Sequence, residues 1–484
     1  MLTVNPDGLS EREQRLWDAY PDGASVDLRS AGDNRVHANV IRMLLLGART
    51  PGPGQLPGLE LYGAHILGPL DLAFADIRCS VRLEACHFDH PMDFYGARMR
   101  RLSLSESVFP GFTASRALID GNLQLTRCKS TDKIRLFGAR VAGGLLLDRA
   151  QVNSSGIALD GTLLEVASDI VGQNGFECVG SLRLLNAKVG GALRLEDARL
   201  SNPGGVALDA RNLTVGTVAN CCDGFQADGE VQLHYAKIYN SLCVENAKLS
   251  NPGGVALNGR YLDTNRLTLR PAPPVDGNID LRYARIGLLE DESSRWPKAL
   301  RIDGLRYGRL WDTALSDVGP ARKRLRWIHL DPHRYLPQAY EQLASMYERL
   351  GQELDARTVR LEKQRRRRSL LPPVGKLWGY VQDVTIGYGY RPMRAAAWLV
   401  ALLALGSAFF AALPPRPVMT TDTPDFNPLV YTLDLLLPIV DFGQEHAFNP
   451  HGLQVWVAYG FIATGWVLAT TIAAGATRVL RRER

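Results

Sequence analysis

The sequence predicts a mixed fold: a β-solenoid with a helical cap and neck, followed by two transmembrane helices. Three observations carry that reading. A short unit of the form Leu-x-Leu-x-x-Ala-x-aliphatic recurs through residues 59–290. Its period of two excludes an amphipathic helix, whose apolar residues return every three or four positions. Two long uncharged apolar runs, 395–413 and 452–477, fall in the last hundred residues, each long enough to cross ~30 Å of hydrocarbon.

Residues 1–58 read as an N-terminal cap. The opening MLTVNPDGLSEREQ has neither a basic nor an apolar stretch, so no cleavable signal peptide is expected, and the chain before residue 395 is expected in the cytoplasm. Asn34-Arg35-Val36-His37 leads into a helical run from Val40 to Leu46, which Gly47 ends. A stack of coils needs such a cap, because its terminal coil otherwise exposes an open strand edge and an apolar lumen.

The repeat occupies 59–290. SNPGGVAL stands at 201–208 and again at 250–257, 49 residues on, and a worn copy, SSGIAL, at 154–159. Between them lie LRLLNAKV (182–189), LRLEDARL (193–200), VQLHYAKI (231–238), LCVENAKL (242–249) and IDLRYARI (279–286). The alanine of the unit recurs at Ala64, Ala75, Ala85, Ala97, Ala139, Ala150, Ala187, Ala198, Ala236, Ala247 and Ala284. Alternate strand residues share a face, so the leucines and the alanine–aliphatic pair point into one interior. A small residue beside an aliphatic one lets the chain turn a tight corner around a narrow core. The Ser-Asn-Pro-Gly-Gly stretches read as protruding turns.

The Ala-x-aliphatic unit resembles the pentapeptide-repeat family, with Ala73-Phe74-Ala75-Asp76-Ile77 the best local match. The resemblance implies a right-handed, four-sided solenoid, although most coils here are longer than the family's five-residue beat. With strands ~4.8 Å apart, about ten coils make a rod on the order of 50 Å long. Some members of that family mimic DNA, which demands a strongly acidic surface. Residues 57–290 hold 24 Lys/Arg against 25 Asp/Glu, and a neutral rod neither imitates nucleic acid nor attracts it.

All seven cysteines fall between Cys79 and Cys243 without a CxxC pair; in a reducing compartment they read as small buried apolar residues. The nearest approach to a ligand cluster is Cys86-His87-Phe88-Asp89-His90, with Cys79 upstream. His87 and His90 point to opposite faces of a strand, so this stretch reads as solenoid wall and no metal ligand is assigned.

Residues 291–373 form a helical, basic neck. A hairpin is expected over 335–368, with Tyr340, Leu343, Ala344 and Tyr347 on one face, Gly351 at the break and Ala356 on the second helix. Its spacing is similar to one tetratricopeptide unit, but a single copy cannot build a superhelix, so packing beneath the solenoid is expected. The neck carries Arg322-Lys323-Arg324-Leu325-Arg326 and then Lys363, Arg365, Arg366, Arg367 and Arg368, which contribute to the net charge of +6. The second run precedes a membrane segment, so anionic lipid headgroups are its expected partner, at ~1 kcal/mol per well-placed cation, in preference to nucleic acid.

Residues 374–484 form the membrane domain, with spans at 395–413 and 452–477 and an outer loop at 414–451. Arg391 and Arg394 precede the first span, and Arg478, Arg481, Arg482 and Arg484 follow the second. The loop has Arg416 against Asp422, Asp425, Asp434, Asp441 and Glu445. The positive-inside rule then places both termini in the cytoplasm of a two-pass protein of the cell membrane. Trp378, Tyr380, Tyr388 and Tyr390 suit an interfacial belt; Gly460, Thr464, Ala469, Ala473 and Gly475 would permit close helix contact. Thr385-Ile386-Gly387-Tyr388-Gly389 resembles the potassium-channel filter. It precedes the first span rather than following a pore helix, so it reads as a turn at membrane entry. The stretch from Asn427 to Asp441 is too apolar for a free loop and too short to span, as a re-entrant or surface-lying segment would be.

Three functions follow as alternatives. The first is a non-catalytic scaffold, offering a rigid surface to an unknown protein partner. The second is an oligomeric two-span channel in which Asp434 or Asp441 rings a cation path. The third comes from resemblance: the diluted repeats, basic neck and loop YTLDLLLPIVDFGQ resemble bacterial proteins often labelled membrane-associated oxidoreductases. That label implies redox chemistry, yet the sequence has no GxGxxG after a strand, no CxxCH, no HExxH and no GxSxG. No catalytic residue and no cofactor are assigned.

Overall fold

A computed structural model describes residues 9–332, 335–390, 392–418, 425–437 and 439–480, the last ten of them by backbone alone. Met1–Gly8, Arg391, Asp422, Arg481, Arg482 and Arg484 therefore lie outside the described residues. The chain divides into two compact units, Met1–Gln342 and Leu343–Arg484.

The first unit is a β-solenoid of about twelve turns. Among the described residues its strands form two parallel sheets, of 18 and 15 strands. The repeat unit explains how each coil turns. In Leu72-Ala73-Phe74-Ala75 the Ala75 N–H donates to the Leu72 carbonyl (3.1 Å), and Phe74 has φ +58°. The same turn closes Leu184–Ala187 over Asn186, Leu195–Ala198 over Asp197, Leu233–Ala236 over Tyr235 and Leu281–Ala284 over Tyr283. The leucine and alanine of the unit are thus the buried ends of a four-residue turn, and the residue before the alanine takes the left-handed backbone. Cys128 fills the alanine place after Arg127 (φ +56°). At 85 the expected alanine is displaced by one position: Ala85 itself is left-handed (φ +51°), and Cys86 occupies the buried corner.

Strand pairing begins at Ser25–Asp27 and runs through Arg306–Asp312, so coils lie on both sides of the 59–290 repeat. The outlying coils lack the leucine–alanine signature, which is why about ten coils were expected. The Ser-Asn-Pro-Gly-Gly stretches project as bulges, with Pro203 and Gly204 exposed and nothing within 4 Å of a Cβ on Gly204 or Gly253. They lie within the strands Arg199–Asp209 and Lys248–Asn258 as bulges, with register jumps between Ser201 and Val206 and between Ser250 and Val255. The Asn202 side chain donates to the Val206 carbonyl (2.9 Å) and Asn251 to that of Val255 (2.8 Å), closing each bulge from within. The neighbouring strands meet the bulges with Gly229 (φ +124°) and Gly277 (φ +121°), where a Cβ would lie 2.5 Å from the Asn202 carbonyl oxygen and 2.7 Å from that of Asn251. Two coils, one bulged and one plain, make up the 49-residue period.

Helices close both ends of this unit. At the N-terminal end α1 (Glu11–Ala19) starts with a capping box between Ser10 and Glu13, and Glu13 also accepts from the backbone N–H of His37, at 2.9 Å. His37 precedes α2 (Ala38–Leu45), whose end is followed by Gly47 at φ +86°. At the C-terminal end α3 (Ala321–Ile328) buries Arg324, which donates twice to Asp291 (2.7 and 2.8 Å) and once to the Val318 carbonyl. The helix α4 (Pro337–Arg349) follows, and Gln342 on it donates to the Tyr307 carbonyl of the last coil (2.6 Å).

The second unit begins within α4 and is helical: α5 (Glu353–Ser369), α6 (Pro373–Ile386), α7 (Pro392–Ala412), α8 (Pro428–Leu436), α9 (Gln444–Ala447) and α10 (Leu453–Leu480). Gly351, at φ +73°, breaks the chain between α4 and α5. The filter-like stretch ends α6 in a turn, with Gly387 at φ +55° and Tyr388 at φ +56°. The apolar loop segment folds as α8, capped by Asn427, whose side chain accepts from Leu429 and Val430 N–H. It wedges between α7 and α10: a Cβ on Gly406 would lie 2.4 Å from the Thr432 side chain, and one on Gly465 2.4 Å from the Leu436 carbonyl oxygen. Its Tyr431 and Leu435 pack in one cluster with Phe410 of α7, Phe461 of α10 and Phe448. Gly460, expected at a helix contact, faces open space, and Gly465 makes the close approach instead.

Among the described residues one helix is long and apolar enough to cross a membrane, at Leu453–Thr470. The apolar part of α7 covers only Ala396–Ala412. Leu413-Pro414-Pro415 follows, and a proline pair cannot continue a helix. The two spans expected from sequence therefore reduce to one by helix length and composition.

Candidate functional site

Parallel coils stack equivalent residues into ladders ~4.8 Å apart. One ladder on the solenoid face runs Thr214, Lys237, Asp263, Arg285, Arg306, each the register partner of the next. Beside it the left-handed corner residues of the same coils are Asn212, Tyr235, Tyr261, Tyr283 and Gly304. A left-handed corner turns its side chain outward, and three successive corners are tyrosine. Their rings stack, Tyr235 on Tyr261 at 4.6 Å and Tyr261 on Tyr283 at 5.1 Å, within 15° of parallel. His234 stacks on Tyr235 at 4.6 Å; burial and then the nearby Arg260 and Arg211 lower its pKa, which keeps the imidazole neutral at pH 7. Gly304 ends the stack, since a Cβ there would lie 2.3 Å from the Tyr283 ring.

The two ladders are the floor and wall of a cleft of about 700 Å³, with Gln338 of α4 at its rim. The charges of the floor distinguish it from the rest of its ladder. Further along, Lys188 pairs with Glu165 (3.0 Å) and Arg140 pairs with the same carboxylate (3.1 Å). Among the described residues Lys237, Asp263, Arg285 and Arg306 are in no ion pair, and all four are exposed. The floor therefore carries three cations and one carboxylate beside a tyrosine wall. Such a cleft suits an anionic, extended ligand with apolar or aromatic side chains. The repeat HY-A, RY-L, RY-A before each corner is visible in the sequence, but the corner position must be known before those tyrosines fall into one column.

The residues singled out from the sequence have other surroundings. Of the basic run on α5, Arg365 and Arg368 turn onto Asp383 of α6 (3.0 and 3.1 Å). Arg368 also lies over the Tyr380 ring at 4.0 Å. Burial raises the Asp383 pKa, but the two guanidiniums outweigh it and hold the carboxyl below its usual range. Arg366 pairs with Glu362 (3.4 Å), Lys363 is half-buried and Arg367 is exposed. Two of the five, Arg365 and Arg368, thus fasten α5 to α6.

Asp434 and Asp441 also separate. Asp434 is buried in α8, and its two oxygens accept from the backbone N–H groups of Phe442 and Glu445, both at 2.8 Å. That arrangement folds the turn after α8, each carboxylate oxygen taking one backbone N–H. Asp441 is exposed, accepting from the Gly443 N–H (2.7 Å). The cysteines are unpaired, six buried and Cys243 half-buried, and burial pushes the thiols of Cys86, Cys128 and Cys178 up to about 12.

Comparison of the chain with family models, with curated proteins and with solved structures returns no match. The functional reading therefore rests on the geometry of the cleft and on the apolar helix α10.

Proposed function

We propose that this chain is a membrane-anchored, non-catalytic scaffold whose solenoid holds an acidic segment of a partner protein in the tyrosine-walled cleft. The observation that carries the reading is the set of cations at Lys237, Arg285 and Arg306, which among the described residues are in no ion pair and stand beside three stacked tyrosines. Five rungs span about 19 Å, the length of roughly six residues of extended chain. The leucine–alanine turns favour pentapeptide-like coils, a rigid framework on which side chains keep a fixed spacing.

Anchoring is through α10, with α7 as a second, shorter span. Arg394 and Arg478 flank the pair, while Asp425, Asp434, Asp441 and Glu445 lie between them, which favours cytoplasmic termini. Lys363, Arg366 and Arg367 are the part of the basic run that meets anionic headgroups.

The test is anisotropy of fluorescent acidic and basic model peptides added to the full chain in nanodiscs of zwitterionic lipid. The acidic peptide binds and the basic one does not, and Arg285→Glu with Arg306→Glu weakens binding by about tenfold or more, roughly 1.4 kcal/mol. Equal affinity for both peptides, or indifference to the double substitution, rejects the proposal.

A further inference from the structure

We propose that His65, His87 and Asp89 form a binding site for a divalent transition-metal ion that links two adjacent coils of the solenoid. The strands His65–Leu67 and His87–Phe88 are parallel neighbours in which His65 is the register partner of His87. Ile66 and Phe88 point into the core, so both histidines stand on the outer face of the sheet. Coil stacking alone therefore fixes the two imidazoles one rung apart. Their rings meet edge to face at 5.0 Å.

Asp89 completes the group from the turn that follows His87. Its carboxylate lies 2.8 Å from His65 Nε2 and 3.7 Å from His87 Nε2, and one ligand atom from each residue lies within 4.8 Å of the others. An ion bound at ~2.0–2.2 Å from nitrogen and oxygen ligands sets such atoms roughly 3.2–3.5 Å apart. Small side-chain rotations reach that spacing without moving the backbone. Two imidazoles and one carboxylate on one face are a donor set for Zn²⁺, Ni²⁺, Co²⁺ or Fe²⁺; Mg²⁺ and Ca²⁺ prefer oxygen alone. All three residues are at least one-third exposed, which admits water to the remaining positions. His90 lies close enough to act on the Asp89 charge.

The site reads across coils rather than along the chain. His65 and His87 are 22 residues apart, and Cys79 and Cys86, which the sequence places nearest, are buried away from it. A bound ion ties the two coils next to the N-terminal cap, and its free energy of binding adds to the stability of that end.

The experiment is calorimetric titration of chelator-stripped full chain in detergent micelles with Zn²⁺ and separately with Mg²⁺. Co²⁺ visible absorption reports the ligand field. One Zn²⁺ per chain is expected, with no Mg²⁺ uptake, and a rise of about 2–5 °C in apparent Tm at saturating Zn²⁺. His87→Ala and Asp89→Asn, both at exposed positions, each weaken Zn²⁺ by about tenfold or more and abolish the Co²⁺ band, with far-ultraviolet circular dichroism unchanged. A native chain that takes up no Zn²⁺, or one whose uptake is the same in both variants, overturns the site and leaves a histidine–aspartate hydrogen-bonded ladder.

Discussion

Left-handed backbone at a residue with a side chain carries a steric penalty of about 1–2 kcal/mol, yet the solenoid repeats it at Phe74, Arg116, Leu163, Asn186, Asn212, Tyr235, Tyr261 and Tyr283. What each side chain does outside the corner decides whether the penalty is offset. Leu163 is 47% exposed, so Leu163→Asn, which tolerates this conformation, is expected to stabilise the chain by about 0.5–1 kcal/mol. Tyr261 stacks on both sides, and Tyr261→Asn is expected to destabilise by about 1–2 kcal/mol. Thermal melts of the two variants, made side by side, check the opposite signs. Glu13 supplies a pH dependence. Burial raises its pKa, but the hydrogen bonds from His37 and Ser10 together hold it below the ordinary glutamate range. Its contribution is present above the unfolded pKa and lost as pH falls through the folded value. Glu13→Gln is therefore expected to lower Tm at pH 7 by the equivalent of about 1 kcal/mol, and the gap to the native chain to close in acid. At this scale the sequence was only partly legible. Leucine and alanine declared the corners, but neither the column of tyrosines nor the meeting of His65 with His87 has a local signature, because both arise between coils.

The bulged strand shows how one element constrains its neighbour. Asn202 and Asn251 hold their bulges by bonding to Val206 and Val255, and Gly229 and Gly277 make room on the next coil. Gly229→Ala places a methyl 2.5 Å from a backbone oxygen at φ +124° and is expected to cost about 2–4 kcal/mol, seen as a lowered Tm with the fold retained. Proline and paired glycines mark the projecting bulge, and the flanking residues stay in register with the coils on either side. The closing helix α3 depends on a buried pair. Arg324→Met leaves the Asp291 carboxylate buried without its cation and is expected to cost about 3–5 kcal/mol. Adding Asp291→Asn is expected to recover part of that loss, a coupling that a double-mutant cycle measures. The basic helix α5 taught the reverse lesson. Its charge run was plain in the sequence, but Arg365 and Arg368 are 18 and 15 residues from Asp383, and only the turn between α5 and α6 brings them together.

For the molecule as a whole, the solenoid was readable from its repeat, whereas the helical C-terminal unit was readable only in outline. Composition marked two apolar runs, and the proline pair after Leu413 shortens the first. Gly460 lies within the apolar stretch of α10 and faces open space, so Gly460→Arg tests that helix without disturbing its packing. A charge near the centre of a span costs about 2.5–3.5 kcal/mol on insertion scales, and the carbonate-resistant membrane fraction is expected to fall. An unchanged fraction would remove α10 as an anchor. The 49-residue period has a further consequence, for ancestry. A bulged coil and a plain coil fit each other face to face, and each such pair meets the next through the same surfaces. Copying one stretch of 49 codons in frame inserts a complete pair without asking any neighbour to change, whereas copying half of it sets bulge against bulge. The lineage of this protein is therefore expected to vary in length by whole pairs, its family tree written in doublets.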